Sequence, residues 1–381
     1  MAKYDLVEKR ELTQLLEADT EIGDAIFQAF SGEEFLNSTD HVRVKNIRDI
    51  FELLIPNSTW AKEDFFKQNS EISISGVSKD KNGEPQLIIY LDGLPDTFIT
   101  TSEAVGHLFV PYKMNHYAKF MLSSNEDHLQ QLLENFNYWF KEKFPNEPIL
   151  VRTVTEDGTN IIRCFATPSY KPIDNHVLLY MSLWALDQLE TDFHLVHSRI
   201  DHSSMKLDFI SSEEITINGI GRLTYGFTLV NGEDKSKTVG FYPTFDLANA
   251  DGTLTALILD KPITIVHRGK SVEPIMRSLM ELKDIREHIS WVIGVIRVAN
   301  KAKIDDVFAY KVQQEIIKII GTTQFSKFAP KFNEISSNNA FNLLQFFGRL
   351  NEMDVPDEDE AIKVKVLFWK FLREFSEKQK G

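Results

Sequence analysis

Residues 150–175 read LVRTVTEDGTNIIRCFATPSYKPIDN, and this stretch decides the fold of the chain. Two β-type runs flank Asp157-Gly158. An Asp-Gly pair between two such runs predicts a β-hairpin, because both central residues of its tight turn adopt positive φ. Asp174 or Asn175 then suits the N-cap of a helix that we expect to reach Leu189. The middle of the chain is therefore expected to be a sheet.

More strands follow the hairpin, with Asn-Gly or Asp-Gly pairs between several of them. The strand-like runs lie near Phe193–Ile200, Met205–Ile210, Ile215–Ile217, Leu223–Val230, Thr238–Tyr242, Leu254–Leu259 and Ile263–Val266, and the turn pairs are Asn218-Gly219, Asn231-Gly232 and Asp251-Gly252. Connections this short join antiparallel neighbours and leave no room for βαβ crossovers.

Helical patterns flank this sheet on both sides. The N-terminal part has helical runs before about residue 54, a hairpin at Asn82-Gly83, and helices over 101–122 and 124–144, the second opening on a capping-box-like Ser124. Helices are also expected from Ser271 to the end of the chain. We therefore predict an α+β protein with a central antiparallel sheet, N-terminal helices and a C-terminal helical bundle. The expected regions are 1–147, 148–270 and 271–381.

Composition limits the classes of partner. The chain has 381 residues, 43% hydrophobic, with 28 Phe and a formal net charge of -14. So acidic a protein is not expected to coat duplex DNA with its whole surface. Residues 260–349 differ, with 14 Lys or Arg against 9 Asp or Glu. That basic region is either a solvated helical surface or a face for an anionic partner. The N-terminus lacks a signal-peptide core and no apolar run could span a bilayer, which favours the cytoplasm and no membrane partner.

Catalytic motifs are scarce. The sequence has no Gly-rich phosphate loop of Walker or Rossmann spacing and no Gly-x-Ser-x-Gly nucleophile elbow. Cys164, the single cysteine, lies in a strand-like run, where a buried inert thiol is the better interpretation. We predict no catalytic residue and no cofactor, and an enzyme is the less favoured class.

A histidine cluster is the one candidate for a metal-dependent enzyme. His194, His197 and His202 lie close together in the sequence, near Asp201. On a regular strand, residues three apart point to opposite faces, so His194 and His197 would share a metal only if a β-bulge intervened. A polar sheet face is the alternative, and we predict no metal ligand.

Basic residues interleaved with an aromatic one mark the hairpin and its exit. Arg152, Arg163, Tyr170 and Lys171 could stack a base and neutralise phosphates, as single-strand binders do. They could equally keep a hairpin edge soluble. Further along, three residues could hold a phosphate, namely His267, Arg268 and Lys270. These seven residues are the predicted nucleic-acid contacts.

A heptad pattern marks the segment 271–300. Ile275, Leu282, Ile289 and Ile296 recur at intervals of seven, and Arg286 interrupts the second apolar row. The pattern predicts a long helix packed on its own domain. A coiled-coil contact with a second copy of the chain is the alternative, which would make the protein a homo-oligomer.

The central region resembles a phage- and plasmid-encoded family, the domain of unknown function numbered 932. The resembling segments are Arg152, Asp157-Gly158, Arg163, 170–175, Asn231-Gly232-Glu233, Phe241-Tyr242-Pro243, 248–252 and His267-Arg268-Gly269. Gly232 and Ala248 stand where the family has serine and cysteine. The resemblance covers about a third of the chain. It implies a phage or prophage origin, hence a host bacterial cytoplasm, and no particular activity.

Three functions remain open. The leading one is a non-enzymatic phage or prophage protein that binds nucleic acid, expected to be single-stranded, in DNA replication or recombination. The second is a protein-binding module with a host or phage partner, such as a host-defence inhibitor or a virion component. The third is a metal-dependent enzyme.

Overall fold

A computed structural model describes residues 6–16, 21–123, 129–235, 239–259, 263–265, 273–338 and 340–378. Strands fill two mixed sheets in the middle of the chain, and helices precede and follow them. The α+β class expected from the sequence is confirmed.

The helices of the described residues are α1 (Lys9–Leu12), α2 (Glu21–Ala29), α3 (Gly32–Leu36), α4 (Arg48–Leu54), α5 (Ser102–Phe109), α6 (Asn115–Ser123), α7 (Leu129–Tyr138), α8 (Asn175–Asp187), α9 (Glu273–Met280), α10 (Ile285–Ala299), α11 (Asp306–Ser336), α12 (Leu343–Leu350) and α13 (Glu358–Lys378). The strands are β1 (Val44–Lys45), β2 (Ala61–Gln68), β3 (Ile72–Lys79), β4 (Pro85–Leu91), β5 (Thr97–Thr100), β6 (Pro148–Glu156), β7 (Thr159–Ala166), β8 (Phe193–Ile200), β9 (Ser204–Ile217), β10 (Gly221–Gly232), β11 (Val239–Asn249), β12 (Leu254–Ile258) and β13 (Ile263–Ile265).

The smaller sheet has six strands in the order β2-β6-β7-β5-β4-β3. Its pairs are antiparallel except for β5 with β7, which run parallel. One face buries aliphatic side chains against α5, α6 and α7, with Phe109, Phe136 and Phe140 at the centre of this core. Burial of such large rings makes hydrophobic packing the main stabilisation of this sheet.

The larger sheet has seven strands, in the order β1-β8-β9-β10-β11-β12 with β13 paired to β11. Helix α8 lies in the core beside this sheet, and all of its residues are buried. A helix that is apolar on every side belongs in an interior rather than at a surface. The N-terminal helices and the C-terminal helices pack into the same core.

The hairpin that the sequence predicts is present as β6 and β7, with Asp157 at φ 49° and Gly158 at φ 75° in the turn. Its strands do not join the rest of the central module, however. They pair with β2 and β5, whereas β8 to β13 form the other sheet with β1. The central strands are thus divided between two sheets, and strand pairing crosses the expected boundary at residue 147.

Two expectations about local structure need correction. The turn expected at Asn231-Gly232 lies further on, because β10 continues through Gly232 and the chain turns at Glu233 and Asp234. The helix expected over 271–300 is also interrupted, because residues 281–284 form a 3₁₀ turn between α9 and α10. Leu279, Leu282 and Ile296 are buried in the chain's own core. Self-association through this segment stays a prediction.

None of the helices in the described parts of the chain combines the length and the apolar character that a membrane crossing requires.

Candidate functional site

Six ionised side chains meet where the two sheets come together. We call this group the charge network: Lys62, Asp64, Arg152, Arg163, Asp174 and Glu233. Four of them come from β2, β6 and β7 of the smaller sheet. Glu233 follows β10 of the larger sheet, and Asp174 is the N-cap residue of α8. Three positive charges therefore face three negative charges.

Glu233 is the centre of the charge network and is fully buried. Its carboxylate accepts hydrogen bonds from Lys62 Nζ at 2.8 Å to each oxygen and from the backbone N–H of Asn175 at 2.7 Å. Arg163 Nη1 donates to the same carboxylate. A buried carboxylate is tolerated only when cations and hydrogen-bond donors surround it in this way. Glu233 thus fastens the end of the larger sheet to two strands of the smaller one.

Arg152 completes the charge network from β6. Its Nε lies 3.0 Å and 3.1 Å from the two oxygens of Asp64, its Nη1 donates to the carbonyl of Glu233 at 2.8 Å, and its Nη2 donates to Asp174 at 2.6 Å. A β-bulge in the β6–β7 pair, between Arg152 and Thr153, changes the register at Arg163. Because a bulge turns one side chain relative to the regular alternation, both arginines reach Glu233.

The electrostatics of the charge network keep Asp174 and Glu233 ionised. Burial alone would raise the pKa of Asp174, but Arg152 and Arg163 outweigh burial and hold that pKa well below its usual range. Burial and Asp174 would likewise raise the pKa of Glu233, yet Arg163 and Lys62 bring it below its usual value. The network is therefore ionic at neutral pH.

Both predicted arginine contacts are enclosed in this structure. Arg152 is 1% exposed and Arg163 is 0% exposed, and their guanidinium groups face carboxylates of the same chain. The interpretation of the pair as a solvent-facing hairpin edge is wrong, because burial and ion pairing define their surroundings. Direct contact with nucleic acid stays a prediction for them, and the positions do not favour it.

The other predicted contacts are divided. Tyr170 and Lys171 are half-buried at the exit of β7, where Tyr170 packs on Leu150 and Cys164 and its hydroxyl lies 3.4 Å from the carbonyl of Glu233. The remaining three lie outside the described residues, namely His267, Arg268 and Lys270.

A cavity of about 450 Å³ opens next to the charge network. We call this cavity the lysine–aromatic pocket. The residues that line it are His107, Pro111, Tyr112, Lys113, Phe144, Glu147, Pro148, Ile149, Phe165, Ala166, Thr167 and Lys235. The volume lies within the range of small-molecule sites in proteins. The end of β7 forms one wall, so the pocket lies at the hairpin exit, near the predicted contacts Tyr170 and Lys171.

Buried partners hold the pocket's rings and one of its lysines. Asn69 is fully buried and donates from its amide to Tyr112 Oη and, at 2.9 Å, to the carbonyl of Phe144. The two rings are stacked with centroids 5.1 Å apart. Elsewhere in the lining, Lys235 Nζ donates to the carbonyl of Phe165 at 3.0 Å. Fixed rings and a fixed ammonium group lose little freedom when a ligand binds.

Lys235 connects the pocket to the charge network through the chain. It follows Glu233 by two residues and has a left-handed backbone with φ 68°. Glu233 is held from four sides, so the turn that carries Lys235 starts from a fixed point. The buried Glu233 of the charge network thus fixes the start of the turn that carries one cation of the pocket.

The pocket adjoins a surface segment that sequence reasoning missed as a site. Residues 104–123 contain no Asp or Glu, although the whole chain carries -14. They contribute Lys113 to the pocket and place Lys119 beside Gly106. On α6, Tyr117 is 43% exposed and Phe120 is 68% exposed. The absence of acidic residues over 20 positions was the signal available in the sequence.

Two titratable groups near the pocket are neutral at pH 7. Burial, and then the charge of Lys235, lower the pKa of His107 to about 4, so its imidazole carries no charge. Burial raises the pKa of the Cys164 thiol to about 11. The protonated, enclosed thiol agrees with the inert role expected for this residue.

The histidine cluster differs from expectation in one respect. A β-bulge lies between Leu195 and His197, so His194 pairs with Ile210 while His197 pairs with Asp208. Both imidazoles consequently share a sheet face, although a regular strand would have separated them. Within the described ranges, no three His, Cys, Asp or Glu side chains lie close enough together to hold a metal ion.

Fold and site together define the class: an α+β protein in which a charge-balanced network with buried arginines and a buried glutamate joins two mixed sheets beside an aromatic pocket with two lysines. The chain matched no protein-family model, no curated protein and no solved structure.

Proposed function

We propose that the protein binds single-stranded nucleic acid through the lysine–aromatic pocket and the adjoining surface of residues 104–123. The observation that carries this proposal is the combination of ordered aromatic rings with lysines on an acid-free segment of an acidic chain. Single-strand binders use this combination, because rings stack on bases of any sequence and ammonium groups attract the phosphates.

The position of the site differs from the one that the sequence suggested. The guanidinium groups of Arg152 and Arg163 are occupied by Glu233, Asp64 and Asp174. The cations open to a strand are instead Lys113, Lys119 and Lys235, all of which are exposed. The arginines bind Glu233, two residues before Lys235, and the lysines meet the ligand.

Fluorescence anisotropy with a labelled oligothymidylate tests the proposal. With three lysine contacts, the logarithm of the association constant is expected to fall against the logarithm of salt concentration with a slope of about -2. Lys119→Gln and Phe120→Ala are expected to weaken binding, since they remove a phosphate contact and a stacking surface. Lys327→Gln is a matched control, because Lys327 is an exposed lysine on α11, outside the site.

Two results would overturn the proposal. One is the absence of binding at low salt. The other is equal binding by Lys119→Gln, Phe120→Ala and the Lys327→Gln control.

The exposed rings of α6 also favour a second function, a protein-binding module. Tyr117 and Phe120 lie three residues apart and therefore share a helix face. Exposed aromatic side chains are common anchors of protein interfaces. This alternative would be selected by two results together. One is a stoichiometric protein partner whose binding is abolished by Phe120→Ala and unchanged by Lys119→Gln. The other is the absence of oligonucleotide binding.

A further inference from the structure

We infer that the lysine–aromatic pocket takes one nucleotide unit bearing a phosphate monoester, either a free nucleoside monophosphate or the phosphorylated end of a strand. This inference rests on the proposed function and names the ligand chemistry of the same site.

The size of the pocket supports a single unit. Its volume of about 450 Å³ suits one small organic ligand rather than several stacked bases. Its lining brings together the Tyr112–Phe144 pair, the end of β7 and Lys235.

The lining divides into a part for a base and a part for a phosphate. Phe144 lies between Tyr112 and Trp139 in two stacked pairs, and Phe165 is buried, so a base must stack on the face of Tyr112 turned away from Phe144. Lys113 and Lys235 supply two positive charges; Glu147 is the carboxylate in the lining, and Asp234 lies near enough to act on His107. A dianionic monoester gains more from two ammonium groups than the singly charged diester of a continuous strand does.

His107 adds a polar group to this lining. Its Nδ1 is buried and, among the described residues, has no hydrogen-bond partner. The imidazole stands in the pocket wall together with Lys235 and Lys113. A neutral imidazole can donate a hydrogen bond to a phosphate or ribose oxygen without adding charge.

Titration calorimetry of the full chain with adenosine monophosphate is the direct test. Adenosine, which lacks the phosphate, and inorganic phosphate, which lacks the base, are each expected to bind about tenfold or more weakly. Lys113→Gln and Lys235→Gln are each expected to weaken the monophosphate by about tenfold or more, since each removes a charge-assisted hydrogen bond. Lys113→Arg keeps the charge and is expected to restore binding, and Lys327→Gln is the control.

A competition experiment separates the two sources of the ligand. Oligothymidylates with and without a 5′-phosphate are compared, and adenosine monophosphate is added to displace each. Preference for the phosphorylated strand, with displacement, supports an end-binding pocket. Binding of the monophosphate without any preference between strands supports the free nucleotide.

The failures of the two proposals are distinguishable. Oligonucleotide binding that neither adenosine monophosphate nor a 5′-phosphate affects overturns this inference and leaves the proposed function standing. Monophosphate binding that Lys113→Gln and Lys235→Gln leave unchanged overturns the assignment to the pocket. If inorganic phosphate binds as tightly as adenosine monophosphate, the base adds nothing to binding and the assignment of a nucleotide is overturned. Loss of every interaction with oligonucleotides overturns the proposed function itself.

Discussion

Replacement of Glu233 by glutamine is the sharpest test of the charge network. The variant keeps the shape of the side chain and removes its negative charge. Lys62, Arg152 and Arg163 would then face only Asp64 and Asp174, so one buried positive charge would lack compensation. Removing one partner from a buried ion pair costs about 3–5 kcal/mol, because the remaining charge stays out of water. Glu233→Gln is therefore expected to lower the free energy of unfolding by about that amount.

Urea denaturation followed by tryptophan fluorescence at neutral pH measures this loss. The matched control is Glu315→Gln, because the carboxylate of Glu315 pairs with Lys318 at 2.6 Å on a solvent-exposed helix face. Surface pairs of this kind contribute less than about 1 kcal/mol. Both variants remove one ion-paired carboxylate. The difference between their losses of unfolding free energy therefore measures the effect of burying the ion pair.

A double variant, Glu233→Met with Arg163→Met, tests the same reasoning from the other side. Removing both charges of a buried pair costs less than removing one, and the two effects are expected to be strongly non-additive. A loss for Glu233→Gln as small as that for Glu315→Gln would refute the reasoning. Additive losses in the double variant would refute it as well. Because the pKa values of Asp174 and Glu233 are lowered in the folded state, the stabilisation is present at neutral pH and is lost only as pH falls through those lowered values.

Three further predictions concern single positions. Since burial raises the pKa of Cys164 to about 11, the native protein is expected not to react with a thiol reagent at pH 8 until denaturant is added; rapid labelling of native protein would contradict this. The pKa of His107 is lowered to about 4 in the folded state, so the unfolded chain takes up the proton first as pH falls. The free energy of unfolding of the wild type is therefore expected to fall by about 2 kcal/mol more than that of His107→Gln between pH 6.5 and pH 4. Parallel pH profiles of the two proteins would argue against this expectation. In β10, a Cβ at position 226 would lie 1.9 Å from the carbonyl oxygen of Phe209. Gly226→Ala is therefore expected to lower the free energy of unfolding, measured in urea, by about 1–3 kcal/mol. A variant as stable as the wild type would show that β9 and β10 can move apart to admit the methyl group.

Local chemistry explains which elements could be predicted. The hairpins at Asn82-Gly83 and Asp157-Gly158 were predicted because a turn depends on residues adjacent in sequence, and each has its Gly at positive φ, although only Asp157 and not Asn82 shares that conformation. Helix α8 was predicted for the same reason, although its N-cap carboxylate, Asp174, contacts Arg152 instead of the helix N–H groups. The sequence predicted where α8 begins. It did not predict that the side chain of Asp174 pairs with Arg152.

Strand β2 shows why the rest could not be predicted. Residues 61–68 read AKEDFFKQ and lack the alternation of a half-buried strand. They are extended because they pair with β6 at the edge of the smaller sheet. Lys62 and Asp64 become network residues only through that pairing. The bulge at Arg163 is likewise a property of two strands together.

The sequence by itself determined the α+β class, the hairpin turns other than the one after β10, most helices and the inert character of Cys164. Tertiary structure alone decided where the charges lie. Lys62 and Glu233 are 171 positions apart and lie 2.8 Å from each other in the fold. No local pattern encodes such a contact, because the free energy that favours it arises only when burial removes water from both groups. The same packing enclosed Arg152 and Arg163 and left Lys113, Lys119 and Lys235 facing solvent.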